Sequence, residues 1–483
     1  MMATMSLFRR LPRASNGFSA TLSGFGRSSL CFRGNTGLAA WHLSHVRPVS
    51  TSVHEYGNFD IALTRSGLSV KIKHDAEHRR RELFPYLWLR DNCRCSSCIN
   101  QDTQQRQLNT FEIPQDVHAK DVEVLHEGVD GREPGIYLTW NDNHKSFYPF
   151  PFVNQYTKYD NNMKGEQSSK VTWDSQGVDR KLNTIPFTDV MQGDSGLASL
   201  LSMIHTYGYA IVTQTPHDTP SPTQHLLERI AFIRVTHYGG FYDFIPDLAM
   251  ADTAYTNLAL PAHTDTTYFT DPAGLQAFHL LSHQPAPDTT TNDTSQKDSM
   301  GGETILVDGL RAADLIRETD AKAYDVLSNH RLPWHASGNE GIAITPDTLH
   351  PVIENDSATG ELVRVRWNND DRGVVPWDGG RGPEEWYAAA RVWHSVISSS
   401  GSQFQLRPGE VLSMVFFRYS FSLIAYLTSY SLVFDNYRVL HGRTAFTGIR
   451  RICGGYIARD DYISRWRTLT QDPSSVRLRT IGC

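Results

Sequence analysis

Ala262-His263-Thr264-Asp265-Thr266-Thr267-Tyr268, read together with Val439-Leu440-His441-Gly442-Arg443, decides how this chain folds. Alternate residues of a β-strand point to the same side, so His263 and Asp265 can aim at a single ion. His441 supplies a second imidazole from far downstream. Two imidazoles and one carboxylate form the facial set that holds a non-haem iron(II), leaving the other positions for a co-substrate, oxygen and a substrate carbon. His-x-Asp alone is common and says little. Its weight comes from the sequence around it.

From residue 253 on, short strands and turns dominate, as a closed or sandwiched antiparallel β architecture requires. Upstream, residues 57–180 alternate polar and apolar positions in short runs, such as Leu68 to Lys73 and Gly135 to Trp140. They predict a small all-β domain. After Pro186, Leu197, Leu200, Leu201 and Ile204 fall at helical spacing, Tyr209 to Thr213 reads as a buried strand, and Thr223 to Phe232 as a helix. Residues 383–400 predict another helix, with Pro383 at its start and Trp386, Ala390, Trp393 and Val396 on one face. Residues 284–302, rich in Asp, Thr, Asn, Ser and Gly, read as a loop.

The chain has 483 residues, 40% of them hydrophobic and 20% charged, which describes a soluble globular protein of two or three domains. A net charge of −6 leaves no electrostatic footprint for nucleic acid. Residues 1–54 differ in kind: they contain no Asp, Glu or Lys but six arginines among many Ser, Gly and Leu. That is the composition of a mitochondrial transit peptide, with the matrix as destination. Residues 414–433 also stand apart. The stretch from Val411 to Phe434 nearly has the length of a membrane span, yet Arg418 and many hydroxyls interrupt it, and it sits just before His441. A span there would tear the iron site apart, so no membrane segment is expected. The stretch reads instead as an insert not native to the fold, and one reading of the chain is a non-catalytic zinc-braced scaffold whose iron site the insert disables.

Three of the six cysteines lie in Cys93-x-Cys95-x2-Cys98. Clustered thiolates select zinc, and a closed structural site wants a fourth ligand. His144, after the strand ending in Trp140, is the first choice, with His118 and His126 as rivals. At the iron, a bidentate 2-oxo acid would fill two positions and its distal carboxylate would need a cation. Arg450 suits a bidentate fork, with Arg451 the adjacent alternative. Neighbouring strand residues face opposite ways, so only one can serve. Thr304 can donate a hydroxyl to the same acid.

Trp88 to Cys98, Asp252 to Leu260, His263 to Phe269, Asn436 to Arg443 and Arg459-Asp-Asp461 together carry a family resemblance. From about residue 57 to 470 the chain resembles the dioxygenases of carnitine biosynthesis, the trimethyllysine and gamma-butyrobetaine dioxygenases. The resemblance implies a mainly β fold with flanking helices: a small N-terminal zinc-binding β domain (57–180), then a double-stranded β-helix, or jelly-roll, catalytic domain (181–475). It also implies iron(II), 2-oxoglutarate and L-ascorbate as cofactors, a homodimer, and a small-molecule substrate. Carried over by matching positions, Tyr238, Tyr242, Tyr255 and Tyr456 would form a cage for a trimethylammonium group. A quaternary ammonium donates no hydrogen bond, so aromatic faces must recognise it. Where the family often has a Trp, this chain has Tyr242. Asp252 would pair with the α-ammonium that trimethyllysine has and gamma-butyrobetaine lacks, with Asn368 or Asn369 near the carboxylate. The expected reaction is hydroxylation of trimethyllysine at carbon 3, with gamma-butyrobetaine hydroxylation as the alternative.

Overall fold

The computed structural model describes residues 54–56, 59–72, 81–125, 133–157, 170–175, 183–245, 256–285, 300–336, 341–377, 379–406 and 429–481. The expected transit peptide up to residue 53, the tip of the 284–302 loop and residues 414–428 lie outside them, as do His126, Asp252 and Tyr255. From Val53 onward the chain forms one compact unit.

The first seven strands make two small antiparallel sheets. One is β1 (His54–Tyr56), β2 (Phe59–Leu63), β3 (Gly67–Ile72) and β4 (Arg81–Pro85); the other is β5 (Ala119–Leu125), β6 (Gly135–Trp140) and β7 (Lys145–Pro149). Alternation buries Ile61, Leu68, Val70, Ile136, Leu138 and Trp140 in one shared core. The short helix Tyr86–Asp91 leads out of β4 into the cysteine cluster.

Two larger sheets follow. Strands β8 (Thr184–Pro186), β9 (Tyr209–Thr213), β10 (Tyr242–Phe244), β12 (Leu275–Gln284), β17 (Tyr430–Asp435) and β19 (Ile449–Ile457) build a six-stranded sheet in the order β10-β19-β12-β17-β9-β8. Strands β11 (Leu260–His263), β13 (Thr304–Asp308), β16 (Ser402–Phe404) and β18 (Val439–Arg443) build a four-stranded sheet in the order β11-β18-β13-β16. Strands β14 (Ile353–Asn355) and β15 (Leu362–Val365) form a separate hairpin. The two large sheets face each other: Leu306 of the smaller packs with Leu280, Leu432, Phe434 and Ile211 of the larger. This is the expected double-stranded β-helix. Helices cover both outer faces. Helix Asp194–Tyr207 buries the expected Leu197, Leu200, Leu201 and Ile204 against the six-stranded sheet. Helix Gly382–Ser399 buries Trp386, Ala389, Trp393 and Ile397 on the other side, a face turned slightly from the expected one, with Ala390 and Val396 at its margin.

Two expectations need correcting. Residues 430–433, assigned to the foreign insert, are the body of β17. That strand is hydrogen-bonded on both sides, to β12 and β9, and Ser431 to Phe434 are fully buried. A continuous apolar run is what a strand buried on both faces requires. Residues 430–433 therefore belong to the sheet and not to an insert. His54, assigned to the transit peptide, begins β1.

Two buried ion pairs fix the chain on either side of the metal-binding strands. Arg438, just before β18, makes a bidentate pair with Asp308 at 3.0 and 2.7 Å and donates to the carbonyls of Thr206 and Val171. Asp308 also caps the helix Gly309–Thr319 through the Leu310 N–H. Arg366, fully buried and paired with Glu354 at 2.9 Å, donates to the carbonyls of Thr267, Phe269 and Thr270 and so clamps the turn that follows Asp265.

Candidate active site

Strands β11 and β18 are antiparallel neighbours, and His263 and His441 are direct Cα partners across them. Cross-strand partners project to the same face, which sets the two rings 4.3 Å apart. β11 ends at His263, so Asp265 lies in the turn beyond it rather than on a continued strand. Its placement comes from Asn436, whose side-chain oxygen accepts the Asp265 N–H at 2.9 Å and whose amide donates to the carbonyls of Asp265 and Ala273. Asp265 Oδ1 is then 3.2 Å from His263 Nε2 and 3.7 Å from His441 Nε2. Bonds of about 2.1 Å meeting at right angles would set ligand atoms about 3 Å apart, so the three fit one divalent ion. His263 Nδ1 sits 2.8 Å from the Pro261 carbonyl; donation there leaves Nε2 free to ligate.

The electrostatics suit a cation. Burial pushes Asp265 toward the neutral form, but the neighbouring imidazoles and the Tyr456 hydroxyl outweigh it and hold the carboxyl well below its usual range. Burial, then the neighbouring His263, lower His441 to about 3. Burial also opposes charge on His263, yet the bond to Asp265 wins and its pKa rises. A proton held there is one that a metal ion would displace.

Asp265 Oδ2 is held from behind. Gln276 Nε2 donates to it at 2.5 Å and the Tyr456 hydroxyl at 2.7 Å. Neither Asn436 nor Gln276 was singled out from sequence as a site residue. Asn436 heads one of the family-like stretches, and Gln276 interrupts the otherwise apolar start of β12, a signal that a buried amide there has a task.

The triad opens into a cavity of about 1000 Å³ between the two sheets and the helix Gly382–Ser399. On one side lies Arg450, almost fully buried, with Nε and Nη1 lacking any hydrogen-bond partner among the described residues. Burial and the charge of Arg443 lower its pKa to about 10. With no counter-ion among the described residues, a buried guanidinium in this cavity has the chemistry to take a carboxylate. Arg451 faces the other way and forks onto Asp243 at 2.6 and 2.9 Å. Thr304, the strand partner of Arg443, also lines the cavity. Gly302 has φ +78°, and a Cβ there would meet the Arg450 guanidinium at 2.8 Å.

Tyrosines wall another side. Tyr238, in the turn before β10, Tyr242, Tyr268 and Tyr456 all line the cavity, and the rings of Tyr242 and Tyr456 meet edge to face at 5.9 Å. The Tyr242 hydroxyl is committed to the Ala277 carbonyl at 2.8 Å, leaving the ring to face the cavity. Asn368 and Asn369 line it as well, with the Asn368 side chain accepting the Asp370 N–H.

A second cluster lies in the N-terminal sheets. His144 Nε2 is 3.2, 3.5 and 3.6 Å from the sulfurs of Cys93, Cys95 and Cys98. Tetrahedral zinc would place nitrogen and sulfur about 3.6 Å apart. His118 is turned to the Asp116 carbonyl instead. Arg90 donates to Cys98 Sγ and pairs with Asp142, which in turn accepts the His144 N–H. Burial drives the Cys93 thiol up to about 12, so three thiolates together require a cation.

Comparison with known proteins places the chain in a family. The family model "Taurine catabolism dioxygenase TauD, TfdA family" matches residues 171–414, and "Gamma-butyrobetaine hydroxylase-like, N-terminal" matches residues 61–154. A trimethyllysine dioxygenase of Neurospora crassa is 50% identical over 442 residues, covering 87% of this chain and 88% of its own length. The mitochondrial trimethyllysine dioxygenase of Rattus norvegicus is 33% identical, covering 80% and 82%. The human gamma-butyrobetaine dioxygenase is more distant, at 26% identity over 80% of this chain and 92% of its own. Among solved structures, the non-heme iron oxygenase OrfP with Fe, succinate and (3S)-hydroxy-L-Arg superposes with a TM-score of 0.39 at 13% identity, over 58% of this chain and 86% of that one.

Proposed function

We propose, from the premise that this chain belongs to the trimethyllysine dioxygenase family within the TauD/TfdA dioxygenases, that it hydroxylates carbon 3 of N6,N6,N6-trimethyl-L-lysine. It is an iron(II)- and 2-oxoglutarate-dependent dioxygenase, acting at the entry to carnitine synthesis. The observation that carries this reading is one cavity shared by the His263–Asp265–His441 cluster, the buried Arg450, whose Nε and Nη1 have no hydrogen-bond partner among the described residues, and a wall of tyrosines.

Iron(II), when bound, supplies the oxidative chemistry as 2-oxoglutarate gives up carbon dioxide and becomes succinate. The chain's residues position the partners. His263, Asp265 and His441 hold the metal. Arg450, with Thr304 beside it, takes the distal carboxylate of 2-oxoglutarate. Tyr238, Tyr242 and Tyr456, with Tyr255, surround the trimethylammonium group by their ring faces. Asp252 pairs with the α-ammonium, and Asn368 or Asn369 meets the carboxylate. Held at both ends, the substrate can offer only a short stretch of its chain to the metal.

Zinc on Cys93, Cys95, Cys98 and His144 braces the N-terminal sheets, and ascorbate keeps the iron ferrous. The Arg-rich, acid-free first 54 residues and the mitochondrial relatives support a mitochondrial address, in the matrix. No helix among the described residues is long and apolar enough to cross a membrane. The working form is a homodimer, as the family likeness implies. The part of the expected insert that lies outside the described residues, 414–428, is taken as not needed for the activity: a variant lacking it is expected to keep turnover, and loss of turnover in that variant defeats this assignment.

The test is incubation of the full chain with iron(II), 2-oxoglutarate, ascorbate and air, with trimethyllysine or gamma-butyrobetaine, read by mass spectrometry. The expected result is a product one oxygen heavier from trimethyllysine, with matching succinate. Preference for gamma-butyrobetaine overturns the substrate assignment, and hydroxylation of neither overturns the activity.

A further inference from the structure

Asp265 offers its two oxygens to different partners. Oδ1 faces the two imidazoles, while Oδ2 receives both the Gln276 amide and the Tyr456 hydroxyl. Gln276 is an expensive residue at this place. It sits on β12 with 1% of its surface exposed, between Leu275 and Ala277, which are fully buried. Its own carbonyl oxygen is buried with no partner among the described residues, so the hydrogen bond this amide makes there is the one to Asp265. Tyr456 is likewise buried, and its donor comes from β19, the strand paired with β12. Gln276 and Tyr456 are direct Cα partners in that pairing. Two donors side by side on one sheet therefore meet one carboxylate oxygen carried by a turn beyond the opposing sheet.

We propose that Gln276 and Tyr456 are positioning residues for the metal ligand Asp265: together they hold Oδ2 so that the carboxylate binds through Oδ1 alone. An unrestrained carboxylate can rotate and offer both oxygens to an ion. With Oδ2 occupied, it spends one coordination position instead of two, and the position it spares stays open for exchangeable ligands. The pair also links β12 and β19 to the turn beyond β11 through hydrogen bonds, beside the apolar packing of Leu306 against Leu280, Leu432 and Phe434. This inference rests on the triad being the iron site, and the test separates the two claims.

The probe is manganese(II), which prefers carboxylate and imidazole to the thiolates of the zinc cluster. It is titrated into the zinc-loaded full chain and followed by electron paramagnetic resonance. Tyr456→Phe removes one oxygen and keeps the ring; Gln276→Met keeps the bulk and removes the donor. Each variant is expected to raise the manganese Kd about tenfold, and the pair more, with an altered line shape for the bound ion and unchanged thermal melting. If both single variants bind manganese with the parent Kd and line shape, the inference is wrong. Tyr456→Phe carries the test alone if Gln276→Met fails to fold. A parent titration that His263→Ala leaves unaffected overturns the iron-site reading itself, and this inference with it.

Discussion

The two metal-ligand clusters of this chain are built in opposite ways. Three ligands of the N-terminal cluster come from six consecutive residues, and the fourth, His144, arrives on the turn between β6 and β7. Its four donors can surround an ion completely and leave no room for chemistry. The triad of the catalytic domain draws on residues 178 positions apart, His263 and His441, and needs a whole β-helix to bring them together. It offers three donors on one side and a cavity on the other. A closed site adds stability to a small domain. An open site depends on the stability around it and gives up saturation for reactivity.

The sharpest way to break this contrast is to remove one ligand from each cluster. His441→Ala should lower turnover by roughly a thousandfold or more, about 4 kcal/mol of activation free energy, and leave zinc content and melting near the parent values. Cys98→Ser should do the reverse, costing about 4 kcal/mol of stability, read by calorimetry and zinc analysis, while the protein that remains folded still binds manganese at the triad. If Cys98→Ser abolishes turnover without altering stability, the structural assignment of that cluster fails. Next in size, Arg450→Ala should raise KM for 2-oxoglutarate about a hundredfold through loss of a charge-assisted bond, with the KM for trimethyllysine little changed. The pH dependence of metal binding also separates the clusters. His263 holds its proton above the ordinary imidazole pKa, so manganese affinity should fall by up to about tenfold per unit as pH drops below that point, and level off above it. Zinc affinity at the cysteine cluster should go on rising to higher pH, because burial takes the Cys93 thiol to about 12. The smallest effect is expected from Tyr242→Trp. A larger aromatic face should tighten trimethyllysine binding about twofold, seen in KM.

The same contrast explains what could be read from the sequence. Cys93, Cys95 and Cys98 announce themselves, because a local cluster needs only spacing; His144 is the first choice for the fourth ligand because it follows a strand, and it meets the three sulfurs across the turn where Asn143 has φ +63°, while His118 turns to the Asp116 carbonyl. His263 and His441 were legible through their surrounding stretches, yet nothing in spacing reveals that they are cross-strand partners. Asp265 was expected on a strand with His263 and instead sits in a turn held by Asn436. Its supports Gln276 and Tyr456 meet it only after β12, β19 and the opposing sheet have assembled, a contact with no local signature. The apolar run ending in Phe434 was misjudged for a physical reason: a strand covered on both faces has no alternation to mark it, and it merges into any hydrophobic stretch beside it.

The direct opposition of His263 and His441 also makes the metal site a gauge of alignment. Side chains along a strand change face at every step, so sliding β18 by a single position would turn His441 out of the cavity and put Leu440 or Gly442 in its place. An ion gripped by both imidazoles is compatible with one alignment of these strands and penalises every other. One residue gained or lost between Asp435 and His441 would therefore be expected to silence the enzyme.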